Sequence, residues 1–162
     1  MNTSEIAQTL ATLLGELVNG PAKDDAYMLN PGDEGLLRSL EKLSAAEASA
    51  PTPTGSSIAA HVDHVRYGLS LMNRWSQGED PFGNADWSAS WRKTTVSDQE
   101  WRQLRSELGR EATRWLSAVG RVREMQETEL NAMIGSIAHL GYHLGAIRQI
   151  NQNTRGPRQA DS

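Results

Sequence analysis

A chain of 162 residues fits one domain and can bury roughly 70% of the surface its unfolded form exposes, so it needs no covalent staple. Its 16 basic and 20 acidic side chains leave a formal charge of -4 with no Lys/Arg stripe, which argues against nucleic acid as a partner. The absence of cysteine removes disulfides, thiolate-ligated metals, iron–sulfur clusters and a protein thiol nucleophile, so any metal must sit on histidine or carboxylate.

The opening segment MNTSEIAQTLATLLGELVNG has no basic leader, and Glu5 and Glu16 interrupt its apolar run. It reads as an amphipathic helix rather than a signal peptide or membrane span, so a cytoplasmic protein with no membrane partner is expected. Thr3 or Ser4 is the expected cap, Ile6, Leu10, Leu13, Leu14, Leu17 and Val18 form the stripe, and Gly20-Pro21 stops the helix near Asn19. A polar loop through Asn30-Pro31-Gly32 leads to a shorter helix on Leu36, Leu37, Leu40 and Leu43. Ser44 to Glu47 then has the pattern of a capping box opening one more turn. Pro51 and Pro53 break the chain after that turn.

From Ser56 to about Gln77 the spacing of Ile58, Val62, Val65, Leu69 and Met72 predicts a second long helix, closed by Gly78. Residues 78–96 carry Pro81, Gly83, Trp87 and Trp91 without helical period, and a connection of that length suits a crossover or a functional loop. Ser97 to Glu100 forms another capping-box pattern, and Trp101, Leu104, Leu108, Ala112, Trp115 and Val119 line a third long helix that ends at Gly120. A fourth spans about Glu127 to Gln152. With no charged residue between Glu129 and Arg148, it is expected to be buried on most sides and to be the most interior element. The domain is expected over residues 1–152, with a polar, flexible tail over 153–162. The expected architecture is an all-α four-helix bundle, with a long crossover between its second and third long helices.

All four histidines fall in two clusters, His61-Val-Asp-His64 on the second long helix and His139-Leu-Gly-Tyr-His143 on the charge-free one. Residues at i and i+4 stand one above the other, so His139 and His143 can aim their imidazoles at one point. His64 is the natural third ligand, because it too interrupts an apolar face and its level matches if the two helices run antiparallel. Three neutral imidazoles suit Zn, Ni, Cu or Fe and leave coordination positions open. His61 can be a fourth ligand, a partner behind the ligands or a surface residue, the last two being favoured. Leu140 stands where the HExxH proteases place their general base, which disfavours that chemistry. Asp63 lies about 100° around its helix from His64 and is expected to be solvated. Tyr142 is a candidate partner behind the ligands, and Trp87, Trp91 and Arg148 are candidate pocket residues. Trp101 and Trp115 are expected in the core.

The segments SIAAHVDHVR (57–66), DWSASW (86–91) and AHLGYHLGAIRQ (138–149) together resemble the DinB/YfiT-like superfamily, over most of residues 4–151. That resemblance implies a homodimeric four-helix bundle holding Ni or Zn on His64, His139 and His143. Some members are thiol-S-transferases that join a low-molecular-weight thiol such as bacillithiol or mycothiol to an electrophilic substrate, and some are proposed hydrolases. The alternatives are a non-catalytic metal-binding stress-response module and a metal-dependent hydrolase. The hydrolase is weakened by the lack of a carboxylate base beside the ligands.

Overall fold

A computed structural model describes residues 2–23 and 25–158. Seven α-helices follow one another: α1 Thr3–Asn19, α2 Gly35–Glu41, α3 Ala45–Ala48, α4 Ile58–Trp75, α5 Ala89–Arg92, α6 Asp98–Val119 and α7 Glu127–Ile150. A 3-10 turn, Gln152–Thr154, ends the series. The described residues contain no strand beyond an isolated bridge between Ala22 and Asp25, so the fold is all-α.

The helix ends are set by local chemistry. Ser44 and Ser97 each accept a hydrogen bond from the backbone N–H three residues on, and Glu47 and Glu100 reach back to their caps. At the start of α1 the expectation of Thr3 or Ser4 is corrected. Asn2 is the cap, its Oδ1 accepting from the Glu5 N–H at 2.9 Å while the Asn2 N–H donates to the Glu5 carboxylate at 2.8 Å. Gly20 and Gly35 fix the turn between α1 and α2. Both have positive φ, and a Cβ on either would lie 2.1–2.3 Å from backbone atoms of the other arm.

Four long helices share one apolar core containing Leu14, Leu36, Leu40, Ile58, Leu108, Trp115, Met133, Leu140 and Ile147, all at most 1% exposed. Trp101 and Trp115 lie there as expected, and burial is tolerable because each indole N–H is satisfied, by the Leu43 carbonyl and by Ser136 Oγ, both at 2.8 Å. The register of contacts gives the directions. Arg66 faces Glu107 and Asn73 bonds Glu111, so α4 and α6 run parallel. Residues 76–97 therefore carry the chain back along the molecule before α6 begins. Gly15 faces Leu116 and Gly120 faces Ala11, so α1 and α6 are antiparallel. His61 meets His143 and His64 meets His139, so α4 and α7 are antiparallel as well.

The most interior long helix is α4 rather than α7. Eleven residues of α4 are buried, against six of α7. The expectation for α7 fails because its lack of charge comes from glycine, alanine and uncharged polar residues. Asn131, Ile134, Gly135, Ala138, Tyr142, Gly145 and Gln149 recur at helical spacing on an exposed face. No helix of the described residues is long and apolar enough to cross a membrane.

The described part of the polar tail is tied to the domain. Thr154 is fully buried and donates to the Asn151 carbonyl, Arg155 Nε donates to the Arg148 carbonyl, and Asn30 bonds the Pro157 carbonyl. Residues 159–162 of the expected flexible tail lie outside the described residues.

Candidate metal centre

Ser57 caps α4 by accepting from the Ala60 N–H, and its hydroxyl donates to the Thr94 carbonyl at 2.6 Å. The cap thus fixes the start of α4 and the return of the connection from α4 to α6 at once. One turn further, His61 and His64 point at α7, where His139 and His143 stand four residues apart on the facing side. The Nε2 atoms of His64 and His139 are 3.1 Å apart, as are those of His139 and His143. One nitrogen from each of His64, His139 and His143 lies within 4.8 Å of the others. These are the three residues expected as ligands, and the geometry brings them to one point.

A divalent ion fits this arrangement. With metal–nitrogen bonds of about 2.0–2.1 Å, two ligand nitrogens should lie about 2.9 Å apart at a right angle and about 3.4 Å apart at the tetrahedral angle. The 3.1 Å spacings from His139 to His64 and to His143 fall between these values, and the third pair lies within 4.8 Å. Three imidazole nitrogens at such distances cannot all be satisfied by one another's protons, and a cation at their centre removes the conflict.

His61 is the residue whose role the sequence left open. It is buried, so it is not a surface residue, and its Nδ1 lies 2.9 Å from Nδ1 of His143. When His143 offers its Nε2 lone pair to the centre, its proton sits on Nδ1 and donates to His61, which must then carry its own proton on Nε2. One hydrogen bond thereby selects both tautomers. The signal for this was present in the His61–His64 spacing, which puts both rings on one side of α4.

Two tryptophans of the connection cover the imidazoles. Trp91 lies edge-on to His61 at 5.1 Å and tilted over His64 at 4.9 Å, and Trp87 lies 5.7 Å from His64. Local bonds hold them there. Asp86 accepts from Arg92 and Ser88, of which the Arg92 guanidinium does most to keep its carboxyl down at about 2, and its backbone N–H donates to the Tyr67 hydroxyl. Tyr142 sets its ring edge-on to His143 at 5.1 Å while remaining largely exposed. Asp63 pairs with Arg66 and supplies no hydrogen bond to the histidines.

Arg148 is not brought to the site. It donates to the buried carboxylate of Asp33 at 2.7 Å, on the side of α7 that faces α2 and the chain end. Among the described residues no carboxylate pairs with His64, His139 or His143, and as neutral imidazoles they carry no charge of their own. A divalent ion held among them would keep its +2 charge and would favour an anionic ligand from solution.

Burial, the largest cause in each case, lowers the pKa of all four histidines from 6.5. For His143, with neighbouring imidazoles adding to the effect, it pushes the value down to about 3. The ligands are thus neutral and ready for a metal at pH 7. Between pH 7 and 8 these groups give stability no slope, and below about 6.5 the unfolded chain takes up protons that the native imidazoles refuse. Metal-free protein should therefore melt at progressively lower temperature from pH 6.5 towards 4. A melting temperature independent of pH over that interval would contradict the burial of the cluster.

Comparison with known proteins gives no match to a family model, a curated protein or a solved structure.

Proposed function

We propose that this protein holds one divalent ion, Ni or Zn, on His64, His139 and His143, and that it is a metal-dependent thiol-S-transferase of DinB/YfiT-like four-helix-bundle type. The observation that carries the metal is the convergence of the three histidines, with His139 Nε2 3.1 Å from both His64 Nε2 and His143 Nε2 and one nitrogen of each residue within 4.8 Å of the others. The return of the chain between the parallel helices α4 and α6 is what the proposed crossover topology requires.

When bound, the ion would lower the pKa of a thiol that reaches it, so that the thiolate attacks an electrophile at neutral pH. The chain has no thiol, so the nucleophile is a low-molecular-weight one. Its S–H proton is lost to solvent, a sulfur–carbon bond forms, and the leaving group departs with its electron pair. A hollow of about 620 Å³ on the His61 side has a mixed wall, with Pro51, Pro53, Trp91, Ala146 and Ile150 beside Thr52, Thr54, Ser56, Tyr142 and Gln149. The hydroxyl and amide groups of that wall can hydrogen-bond the polar part of a thiol such as bacillithiol or mycothiol, with the apolar residues packing against the rest.

The competing reading, a non-catalytic metal-binding module, is favoured by the Trp91 ring lying over His61 and His64, which shields the centre. The two readings separate on one experiment. Cobalt-loaded protein titrated with bacillithiol, mycothiol, glutathione and coenzyme A should develop a sulfur-to-metal charge-transfer band with at least one of them and conjugate it to a haloarene. A spectrum indifferent to all four thiols, with no conjugation above that of His143→Ala protein, leaves the module.

His61→Ala should weaken metal binding by about 10–100-fold without abolishing it, the usual cost of losing the partner that orients a ligand imidazole. Competition with a chelator of known affinity reads this out, and an unchanged affinity would remove His61 from the site. We also propose a homodimer. A buried α7 would put its interface on the first or third long helix, with the crossover as a further candidate, and the exposed uncharged face of α7 removes that restriction. Light scattering tests the assembly, and a monomer at micromolar concentration would count against it.

A further inference from the structure

The histidine cluster borders a second hollow, of about 210 Å³, between α4 and α7 on the side away from His61. Gly68, Leu69, Met72, Trp87, Gly135 and His139 form its walls, and no charged residue lines it. Its hydroxyl, Ser136 Oγ, is already committed, accepting from the Trp115 indole and donating to the Met133 carbonyl. The free polar group at this wall is the outer edge of His139, whose Nδ1 makes no hydrogen bond within the protein and faces Gly68. The space exists because two helix positions lack side chains. A Cβ on Gly68 would lie 3.5 Å from the Trp87 ring and 3.7 Å from His139, and a Cβ on Gly135 would meet nothing within 4 Å.

A site with apolar walls, one aromatic face and one free imidazole nitrogen discriminates by what it cannot satisfy. A charged or multiply polar group entering it would lose water without finding partners. An uncharged aromatic or branched-alkyl group about the size of one ring loses nothing polar and gains contact with Trp87, Leu69 and Met72. We infer that the pocket walled by Gly68, Trp87, Gly135 and His139 is a binding site for an uncharged ring-sized apolar group, the non-reacting part of the electrophile that the centre acts on. The assignment to the electrophile rests on the transferase reading, whereas the binding preference rests on the pocket alone.

The probe is benzyl alcohol, titrated into the zinc-loaded protein by ligand-observed NMR, with benzylammonium as its charged counterpart. Benzyl alcohol should bind with Kd on the order of 1–10 mM, as suits a ligand of so few atoms, and benzylammonium should bind at least about 10-fold more weakly. Gly135→Phe puts a ring into the open space and should weaken benzyl alcohol about 10-fold or more while leaving zinc stoichiometry unchanged. It should not cost the fold, since phenylalanine is a better helix residue than glycine, and circular dichroism checks this. His143→Ala protein, short of one ligand, should keep benzyl alcohol binding within about 3-fold, because the walls do not include that residue. Zinc-loaded wild-type protein that binds benzyl alcohol yet conjugates none of the four thiols to a haloarene would sink the transferase reading and spare the pocket. Equal binding of the two probes, or Gly135→Phe protein that binds benzyl alcohol like the wild type, would overturn the pocket assignment.

Discussion

His64→Ala, His139→Ala and His143→Ala proteins should each lose metal affinity by more than about 100-fold, beyond the loss that an orienting partner alone causes. Each substitution takes one of three converging nitrogens and leaves two, with no carboxylate or thiol among the described residues placed to replace it. The effect should be visible in stability as well as in metal content. An ion present at about 1,000 times its Kd stabilises the native state by about 4 kcal/mol, which for a domain of this size is a melting-temperature shift of roughly 10 °C. Chelation should lower the wild-type melting temperature by about that amount, and it should scarcely move that of the three variants. Calorimetry with and without chelator checks both halves. Equal responses of wild type and variants would show that the histidines hold no metal.

Asp33→Ala should destabilise the fold by about 3–5 kcal/mol, the cost of removing one partner of a buried ion pair and leaving the other uncompensated. Asp33 has only 3% of its side chain exposed and Arg148 14%. The same carboxylate accepts from the Gly35 N–H at the tight turn where α2 begins, and Gly156 packs so closely on it that a Cβ there would lie 1.9 Å from an oxygen. One carboxylate thus ties α2, α7 and the chain end together. Its loss should lower the melting temperature by roughly 10 °C or more while zinc stoichiometry in the folded protein stays at the wild-type value. A shift of under about 1 kcal/mol in chemical denaturation would mean that the pair contributes no more than a surface contact. Loss of zinc from protein that remains folded would place Arg148 in the site after all.

How much could be read from the sequence was set by how local the physics is. Apolar spacing and the Ser44 and Ser97 capping boxes depend on residues within a turn or two, and the helices they predict are present. The histidine cluster was legible for the same reason, since two candidate ligands lie four residues apart on one helix and the third interrupts another apolar face. The exposure of α7 was not legible, because absence of charge looks the same whether a helix face is covered by neighbours or built from glycine and alanine. Nor was the place of Arg148, whose partner lies 115 residues away, since nothing local to AIRQ points to Asp33. The tautomer link between His61 and His143 depends on the registry of two helices 82 residues apart in sequence, and only their packing fixes it.

X-ray absorption spectroscopy of zinc-loaded wild-type protein, purified without a nickel resin, tests most directly whether a single divalent ion is held by three imidazoles. The edge-normalised spectrum should fit three imidazole nitrogens at about 2.0–2.1 Å, with the outer-ring scattering that distinguishes imidazole from water, and one further light ligand. A best fit with two or fewer imidazoles, or protein that takes up no zinc at all, would contradict that centre.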